Sequence, residues 1–298
     1  MPFSPSRRTL LIGASLALAS SRLPAAQGNV ETGGAQDRLR EMEGTLGGRL
    51  GVAALDMESD RRIDYRSASL FPMCSTFKLL LAGAVLSKVD HGKEQLDRAI
   101  PLTQDDILDY APVAKTLLPK GRMTVSEALT GALVDSDNSA ANLLLSSIGG
   151  PGALTLFART LGDKSTHLDR VEPFLNEAMP GDARDTTTPA AMLNDLGVLL
   201  LENALSDSSR AFLAESMVKC RTGANKLRAG LPGGWKIGDK TGMGERGATC
   251  DVAIAWPPGR KPLLIAAYLA DSPAPLADRN KAMADIARLV VSELVSGS

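Results

Sequence analysis

Strand patterns occupy only the two ends of this chain, and helical patterns fill the long stretch between them. Short apolar runs bounded by polar turns predict strands over residues 49–57, 62–66, 234–241, 248–256 and 262–269. In the middle, apolar residues recur at helical spacing, most densely over residues 75–89. Because strands bury their apolar faces only against other elements, this order predicts an α/β (α+β sandwich) fold, with one sheet built from both chain ends beside an all-helical lobe. We expect a ligand to bind in the crevice between these parts.

The same pattern divides a catalytic domain over residues 28–298 into two lobes. About residues 28–68 and 219–298 should form the α/β lobe, and about residues 69–218 the all-α lobe. The chain of 298 residues carries a formal net charge of −1 and has no basic run beyond its first residues. This balance argues against nucleic acid as a partner and favours a small, weakly charged or anionic ligand.

The first 27 residues have the layout of an export signal peptide. Arg7 and Arg8 precede an apolar stretch at residues 10–19, which is too short to span a bilayer stably, and small residues follow it. Residues 6–11 resemble the twin-arginine consensus, which implies export after folding. An ordinary secretory signal with two arginines is the alternative. We expect a periplasmic protein with no stable membrane anchor after processing.

The chain has three cysteines, Cys74, Cys220 and Cys250. An odd number in an exported protein leaves at least one thiol unpaired. Cys74 precedes an apolar helix, which favours a buried free thiol. A bridge between Cys220 and Cys250 stays open, because spacing alone cannot establish the Cα separation that a disulfide needs.

Three short motifs follow one another along the chain: Ser75-Thr76-Phe77-Lys78, Ser136-Asp137-Asn138 and Lys240-Thr241-Gly242. Acyl transfer needs a nucleophile and a base close enough to take its proton. Since positions i and i+3 share a helix face, Lys78 should reach the Ser75 hydroxyl. An idle charge would be costly in the apolar helix that contains Lys78, so we assign catalytic roles to both residues.

The second motif falls in a turn between two apolar helices. Ser136 can relay a proton to a leaving nitrogen, and Asn138 can hydrogen-bond a substrate amide. Asp137 more simply ties down the backbone of the turn. A plain helix N-cap is the alternative for this motif, since all three residues are good caps.

The third motif ends a strand. A cation and a hydroxyl at a strand edge, Lys240 and Thr241, suit a carboxylate. Gly242 lets a ligand lie close to the backbone. All three residues are therefore candidates for substrate binding.

With Glu172 and Asn176 between the second and third motifs, the chain resembles the class A serine β-lactamases from about residue 34 to its C-terminus. The resemblance implies an antiparallel sheet covered by helices, with an all-α lobe beside it. It implies hydrolysis of the β-lactam amide of penicillins and cephalosporins through an acyl-enzyme on Ser75, and hence antibiotic resistance. A monomer that needs no cofactor and no metal ion is also implied.

The resemblance also implies roles for single residues. Glu172 and Asn176 would hold the hydrolytic water in an omega loop, with Glu172 as the base for deacylation. Whether Lys78 or Glu172 is the base for acylation stays open. The backbone N–H groups of Ser75 and Met243 would form the oxyanion hole. Three further residues match family positions: Tyr110 at the mouth of the site, and Arg170 and Asp185, which would pair to close the loop.

The chain departs from the family pattern at several positions. Met243 replaces a small or hydroxylated residue, which affects the expected substrate range. Thr249 and Asn280 stand where many relatives carry an arginine for the substrate carboxylate. Other relatives place a cation before the third motif, and the resemblance implies that role for Lys226, with a solvated lysine as the alternative. Gly244 replaces the cysteine that pairs with the one before the nucleophile in carbapenem-hydrolysing relatives, so strong carbapenem hydrolysis is not expected.

Two other functions share the three motifs. A DD-peptidase of cell-wall synthesis, or a penicillin-sensing domain, would hold the acyl-enzyme rather than hydrolyse it. Glu172 with Asn176 disfavours both, because each would lack a base for deacylation. The two histidines of the chain, His91 and His167, fit neither a Ser-His-Asp hydrolase nor a metal site.

Overall fold

The computed structural model describes residues 33–295. The predicted signal peptide at residues 1–27 lies outside the described residues, as do the two ends of the predicted catalytic domain.

Nine strands lie within the described residues: β1 Arg49–Asp56, β2 Arg62–Tyr65, β3 Phe71–Pro72, β4 Ala99–Pro101, β5 Arg122–Thr124, β6 Thr186–Thr187, β7 Lys236–Met243, β8 Thr249–Trp256 and β9 Leu263–Ala270. Ten α-helices accompany them: α1 Gly33–Leu46, α2 Phe77–Asp90, α3 Pro112–Leu117, α4 Val125–Val134, α5 Asn138–Ile148, α6 Pro151–Thr160, α7 Pro189–Leu201, α8 Asp207–Val218, α9 Leu227–Gly230 and α10 Leu276–Val290. Short 3₁₀ turns lie at Cys74–Thr76, Gln104–Asp106, Leu118–Lys120 and Phe174–Asn176, and a π-helical turn at Val291–Val295.

The main sheet joins the two ends of the described chain, as predicted. Its strand order is β2-β1-β9-β8-β7, and every neighbouring pair is antiparallel. Every residue of β9 is buried, because helices cover both faces of the sheet. Helices α1 and α10 pack on one face and α7 on the other. This arrangement confirms the predicted fold class.

Helix α2 is the centre of the helical part. Ten consecutive residues, Phe77–Leu86, are buried, which is typical of a helix surrounded by other elements on all sides. Its neighbours include α4, α5, α6 and α8. Lys78 lies in the first turn of this buried helix.

The start of α2 differs from the sequence prediction. We expected one helix over residues 75–89, but Cys74–Thr76 form a 3₁₀ turn and the α-helix begins at Phe77. Cys74 has φ = 44°, in the left-handed region, which breaks the regular helix before Ser75. The Thr76 hydroxyl donates to the carbonyl of Met73 at 2.7 Å and stabilises the turn.

All three cysteines are buried and unpaired, so the structure contains the free thiol predicted at Cys74 and no bridge between Cys220 and Cys250. Among the described helices, none is by itself long and apolar enough to cross a membrane. Helices α5 and α6 meet that test only jointly, across a bend of 72°.

A buried pair of carboxyl groups lies beside α7. Asp195 is fully buried, and no donor from the described residues reaches either of its oxygens or Oδ2 of Asp163. Burial, followed by the charge of Asp163, raises the pKa of Asp195 to about 9. One proton on Asp195, shared with Asp163 through a hydrogen bond, would pair two of these three oxygens, since two adjacent carboxylates cannot both ionise easily.

We expect Asp195→Asn to raise the free energy of unfolding near neutral pH by about 1–3 kcal/mol, because an amide donates to Asp163 without having to hold a proton. In the wild type, the unfolded carboxyl ionises near pH 4 and the folded one near pH 9. The stability that this group contributes is therefore complete below about pH 4 and is lost as the pH rises towards 9. Urea denaturation across this range measures the slope, which the variant should lack.

The matched control is Asp97→Asn, which removes a carboxylate from an exposed loop position. Its stability should follow the wild type at every pH. A destabilised Asp195→Asn protein, or an unchanged pH slope, would contradict the shared proton.

Candidate active site

The Ser75 hydroxyl lies between an amine and a carboxylate. Lys78 Nζ donates to Ser75 Oγ at 2.9 Å, and Ser75 Oγ donates to Glu172 Oε1 at 3.2 Å. The 3₁₀ turn and the first turn of α2 place Ser75 and Lys78 on one face, as the spacing predicted. Both neighbours of the hydroxyl are groups that accept a proton when in their basic form.

Lys78 is completely enclosed, yet its ammonium is well satisfied. Nζ lies 3.0 Å from Glu172 Oε1, 2.7 Å from the carbonyl of Ser136 and 2.6 Å from Asn138 Oδ1. Burial lowers the pKa of Lys78 from its ordinary value, and the charge of Glu172 opposes that shift. A lysine with a lowered pKa more readily provides the neutral amine that acts as a base.

Three amide contacts position Glu172, whose side chain is fully buried. The Asn142 side chain accepts from the Glu172 N–H at 3.0 Å and donates to its carbonyl at 2.9 Å. The Asn176 amide donates to Glu172 Oε2. Because Asn176 occupies the second carboxylate oxygen, Oε1 is the one that faces Ser75 and Lys78.

Ser136 links two lysines. Its φ of 58° lies in the left-handed region, where a residue other than glycine is strained. Lys240 Nζ donates to Ser136 Oγ at 3.0 Å, and Lys78 Nζ lies 3.4 Å from the same oxygen. Burial lowers the pKa of Lys240 to about 8. A hydroxyl between two cationic donors is well placed to pass on a proton.

The backbone of strand β7 packs directly against the backbone of the turn that contains Ser75. A Cβ added at Gly242 would lie 2.8 Å from the carbonyl of Met73 and 3.2 Å from the Ser75 nitrogen. Such distances exclude any side chain at position 242. Glycine is therefore required here for the approach itself, and it brings the end of β7 beside the Ser75 N–H.

The side chain after Lys240 points to the opposite face of β7. The hydroxyls of Thr241 and Thr222 lie 2.5 Å apart, and the carbonyl of Thr222 accepts from Lys226 Nζ at 3.4 Å. Lys226 is 8 % exposed. Its charge acts on the buried carboxyl of Asp251, whose pKa burial raises well above its ordinary value and Lys226 lowers.

Two predicted residues lie at the rim of the site. Tyr110 and Met243 are 51 % and 53 % exposed, respectively. The carbonyl of Tyr110 accepts from the Asn138 N–H at 3.0 Å, which joins this rim to the second motif. Asp137 caps α5 and also accepts from the backbone of Val113 at 2.8 Å, so it ties down more than its own turn.

The segment from residue 169 to residue 185 is closed by Arg170 and Asp185, the pair that the resemblance implied. Asp185 is fully buried and accepts from the N–H groups of Asp169 and Arg170 and from Arg170 Nε, at 2.8, 2.9 and 2.5 Å. The carbonyl of Asp185 accepts from the Met73 N–H at 2.9 Å. The loop that carries Glu172 is therefore anchored beside the turn that carries Ser75.

The structure brings most of the predicted site residues into one connected group of hydrogen bonds: Ser75, Lys78, Ser136, Asn138, Glu172, Asn176 and Lys240. Thr222 connects the hydroxyl of Thr241 with Lys226 Nζ. Gly242 lies against the turn of Ser75 through its backbone. Sequence reasoning missed Asn142 and Thr222. Asn142 has a signal, since it is polar and one helical turn after Asn138 in an apolar helix, whereas Thr222 has none. Within the described residues, no cluster of three or more metal-ligating side chains is found.

Residues 35–294 match the model of the family described as "Beta-lactamase enzyme family". Solved structures of class A β-lactamases are similar over most of the chain. The structure of the class A β-lactamase of the last common ancestor of Gram-negative bacteria is similar to this chain, with 53 % sequence identity and a TM-score of 0.85. The match covers 87 % of this chain and 98 % of that one. PenP from Rhodopseudomonas palustris, a candidate class A β-lactamase, is 47 % identical with a TM-score of 0.86, covering 88 % and 100 %.

We expect Asp185→Asn to loosen the segment over residues 169–185. Asparagine tolerates the φ of 56° at this position, so the substitution removes charge without straining the backbone. Loss of the charge-assisted bonds to Arg170 should lower the free energy of unfolding by about 1–3 kcal/mol. Hydrogen exchange of this segment, with urea denaturation, measures both effects.

Glu41→Gln is the control, because it removes a carboxylate from an exposed position of α1, outside this segment. It should change stability by about 0–1 kcal/mol. Equal exchange rates in the two variants would show that Asp185 does not hold the loop.

Proposed function

Because the chain belongs to the class A β-lactamases, enzymes that hydrolyse the β-lactam ring, we propose that it opens the ring by attack of Ser75 and that Glu172 directs water to the resulting ester. The observation that carries this assignment is the contact of one buried hydroxyl with both Lys78 and Glu172. Hydrolysis of penicillins and cephalosporins gives the host antibiotic resistance.

In the acylation step, Ser75 Oγ attacks the carbonyl carbon of the ring as its proton passes to a base. Lys78 and Glu172 are both within hydrogen-bonding distance of Oγ, at 2.9 and 3.2 Å, so either group can take the proton in its basic form. The lowered pKa of Lys78 supports its participation. The ring nitrogen leaves towards Ser136, which lies between Lys78 and Lys240 and donates a proton to it.

Negative charge develops on the carbonyl oxygen during attack. The backbone N–H groups of Ser75 and Met243 are the proposed donors, since donors aimed at the oxyanion contribute several kcal/mol in water-excluded sites (about 3–4 for one donor). The close approach of Gly242 to the Ser75 nitrogen supports this assignment. Because a backbone group donates at position 243, the methionine side chain leaves the oxyanion hole intact.

Deacylation distinguishes this protein from a DD-peptidase or a penicillin sensor. Glu172 is buried and its carboxylate oxygen Oε1 lies beside Ser75, where it can accept a proton from water that attacks the ester. Asn176 binds the other carboxylate oxygen and fixes that orientation. A related protein that holds its acyl-enzyme needs no buried carboxylate beside the nucleophilic serine, because it does not hydrolyse the ester.

Substrate binding is assigned to groups on both sides of β7. Asn138 binds the side-chain amide of the substrate, and Tyr110 and Met243 contact it at the rim. The carboxylate of the substrate is bound by Lys240 and Thr241, with Lys226 on the side of Thr222.

We expect Glu172→Asn to be acylated by a penicillin and to hydrolyse the ester about 10²–10⁴-fold more slowly, because asparagine keeps the hydrogen bonds but removes the base. Intact-mass spectrometry after brief exposure should show one penicillin bound per chain. Single-turnover kinetics then gives the rate of ester loss.

Two variants serve as controls. Ser75→Ala should show no adduct, and Glu215→Gln, which removes an exposed carboxylate from α8, should turn over at the wild-type rate. Release of product by Glu172→Asn at the wild-type rate would assign the base elsewhere and remove the main argument against a DD-peptidase.

We also propose that the enzyme acts as a monomer in the periplasm, exported by the twin-arginine route. The paired Arg7 and Arg8 before an apolar stretch support this route. Replacing both arginines with lysine should leave β-lactamase activity in the cytoplasmic fraction. The control Lys93→Arg, at an exposed site, should leave the activity in the periplasm. Undiminished periplasmic activity of the double variant would contradict the proposal.

A further inference from the structure

Two of the three thiols lie close to the turn that contains Ser75. Cys74 immediately precedes Ser75, and Cys250 is the second residue of β8. Both side chains are fully buried. Cys250 Sγ donates to the carbonyl of Pro72 at 3.4 Å, so the thiol of β8 reaches the backbone two residues before Cys74. Neither thiol takes part in the proposed acyl transfer.

Gly242 shows how close the two cysteines are. In the antiparallel pairing of β7 with β8, Gly242 lies directly opposite Cys250. The side chains of such a pair project from one face of the sheet, with their Cβ atoms about 5 Å apart. A Cβ added at Gly242 would lie 3.1 Å from Cys74 Cβ. Cys74 therefore packs over the position opposite Cys250, on the face from which Cys250 projects.

The sulfur of Cys74 lies on this face as well. It is 2.7 Å from the position that a Cβ would take at Gly244, two residues after Gly242, and alternate residues of a strand share a face. Gly242 itself has no side chain to separate the two thiols. Burial raises the pKa of the Cys250 thiol well above its ordinary value, and the neighbouring Cys74 thiol raises it further.

The third thiol lies elsewhere. Cys220 Sγ is 3.3 Å from Thr222 Oγ1, and the Thr222 hydroxyl contacts that of Thr241. Because side chains alternate along β7, Thr241 projects from the face opposite to that of Gly242. Cys220 is therefore separated from Cys74 and Cys250 by the strand itself.

We infer that Cys74 and Cys250 are a cross-linking site, at which a disulfide joins the turn of Ser75 to β8 when the chain folds in the presence of a low-molecular-weight disulfide such as oxidised glutathione. The thiolate of one cysteine attacks the small disulfide, and one glutathione leaves. The thiolate of the other cysteine then displaces the second glutathione from the mixed disulfide. Two protein thiols are oxidised, and one small disulfide is reduced to two thiols, which take up the two protons.

Burial determines when this exchange takes place. The thiolate is the attacking species, and the raised pKa keeps Cys250 as a neutral thiol in the folded protein. The folded chain therefore resists exchange, whereas a folding chain is open to it until β7, β8 and the turn of Ser75 have packed. Under the export after folding proposed above, both thiols stay reduced.

The test exposes folded and refolding protein to the same glutathione redox buffer. The reduced protein, incubated in its folded state, should keep three thiols that react with iodoacetamide in urea. The same protein, unfolded in urea and diluted into the buffer, should lose two of the three. Mass spectrometry of its peptides should find Cys74 linked to Cys250. Incubation in urea just below the unfolding midpoint, where part of the chain opens and recloses, provides the same comparison without complete refolding.

The bridged protein should also be more stable than the reduced one. Closure of a long loop by a disulfide raises the ratio of folded to unfolded protein by roughly 30- to 900-fold. Urea denaturation measures this as a higher midpoint, and dithiothreitol in the urea series should remove the difference.

Two variants serve as controls. Cys250→Ser keeps a donor for the carbonyl of Pro72 and should refold without a bridge. Cys220→Ser removes the third thiol and should form the bridge as the wild type does.

Three free thiols after refolding would overturn the inference, as would a bridge that includes Cys220 or a higher urea midpoint in refolded Cys250→Ser. Bridging of the folded protein as fast as that of the refolding chain would overturn the order of exchange and packing. No step of this test uses a β-lactam, so its outcome is independent of the proposed function.

Discussion

The enclosed ammonium of Lys78 is the interaction on which the rest of the structure depends. A buried charge costs several kcal/mol unless hydrogen bonds and a counter-charge surround it. Its acceptors come from three separate pieces of chain: the turn of Ser75, the turn of Ser136 and Asn138, and the loop that carries Glu172. Folding and assembly of the site are therefore the same event, because displacing any one piece leaves the charge unsatisfied.

Convergence of these pieces requires unusual backbone at several points. Cys74 and Ser136 both have positive φ, and Gly242 must lack a side chain. The left-handed backbone conformation costs about 1–3 kcal/mol at each of Cys74 and Ser136. The surrounding packing holds them in place, since Ser136 is fixed by both lysines and the turn of Cys74 lies against the loop that ends at Asp185.

Alternation along β7 separates two kinds of chemistry. Lys240 points towards Ser136 and the acyl-transfer groups, whereas Thr241 points towards Thr222. A substrate carboxylate bound by both residues would therefore lie at this edge of the sheet, with Lys240 on one side and Thr241 on the other. Burial lowers the pKa of Lys240 to about 8, so a bound anionic ligand would stabilise the charged form of this residue.

The sequence by itself determined the sheet built from both chain ends and the pairing of Ser75 with Lys78, because these depend on local periodicity and on short spacing. The three motifs in their order also indicated the family. Only the tertiary structure decided the role of Asn142 and the burial of Asp195 beside Asp163 without a donor from the described residues. These depend on which side chains meet after distant segments pack, and a one-dimensional pattern does not encode those distances.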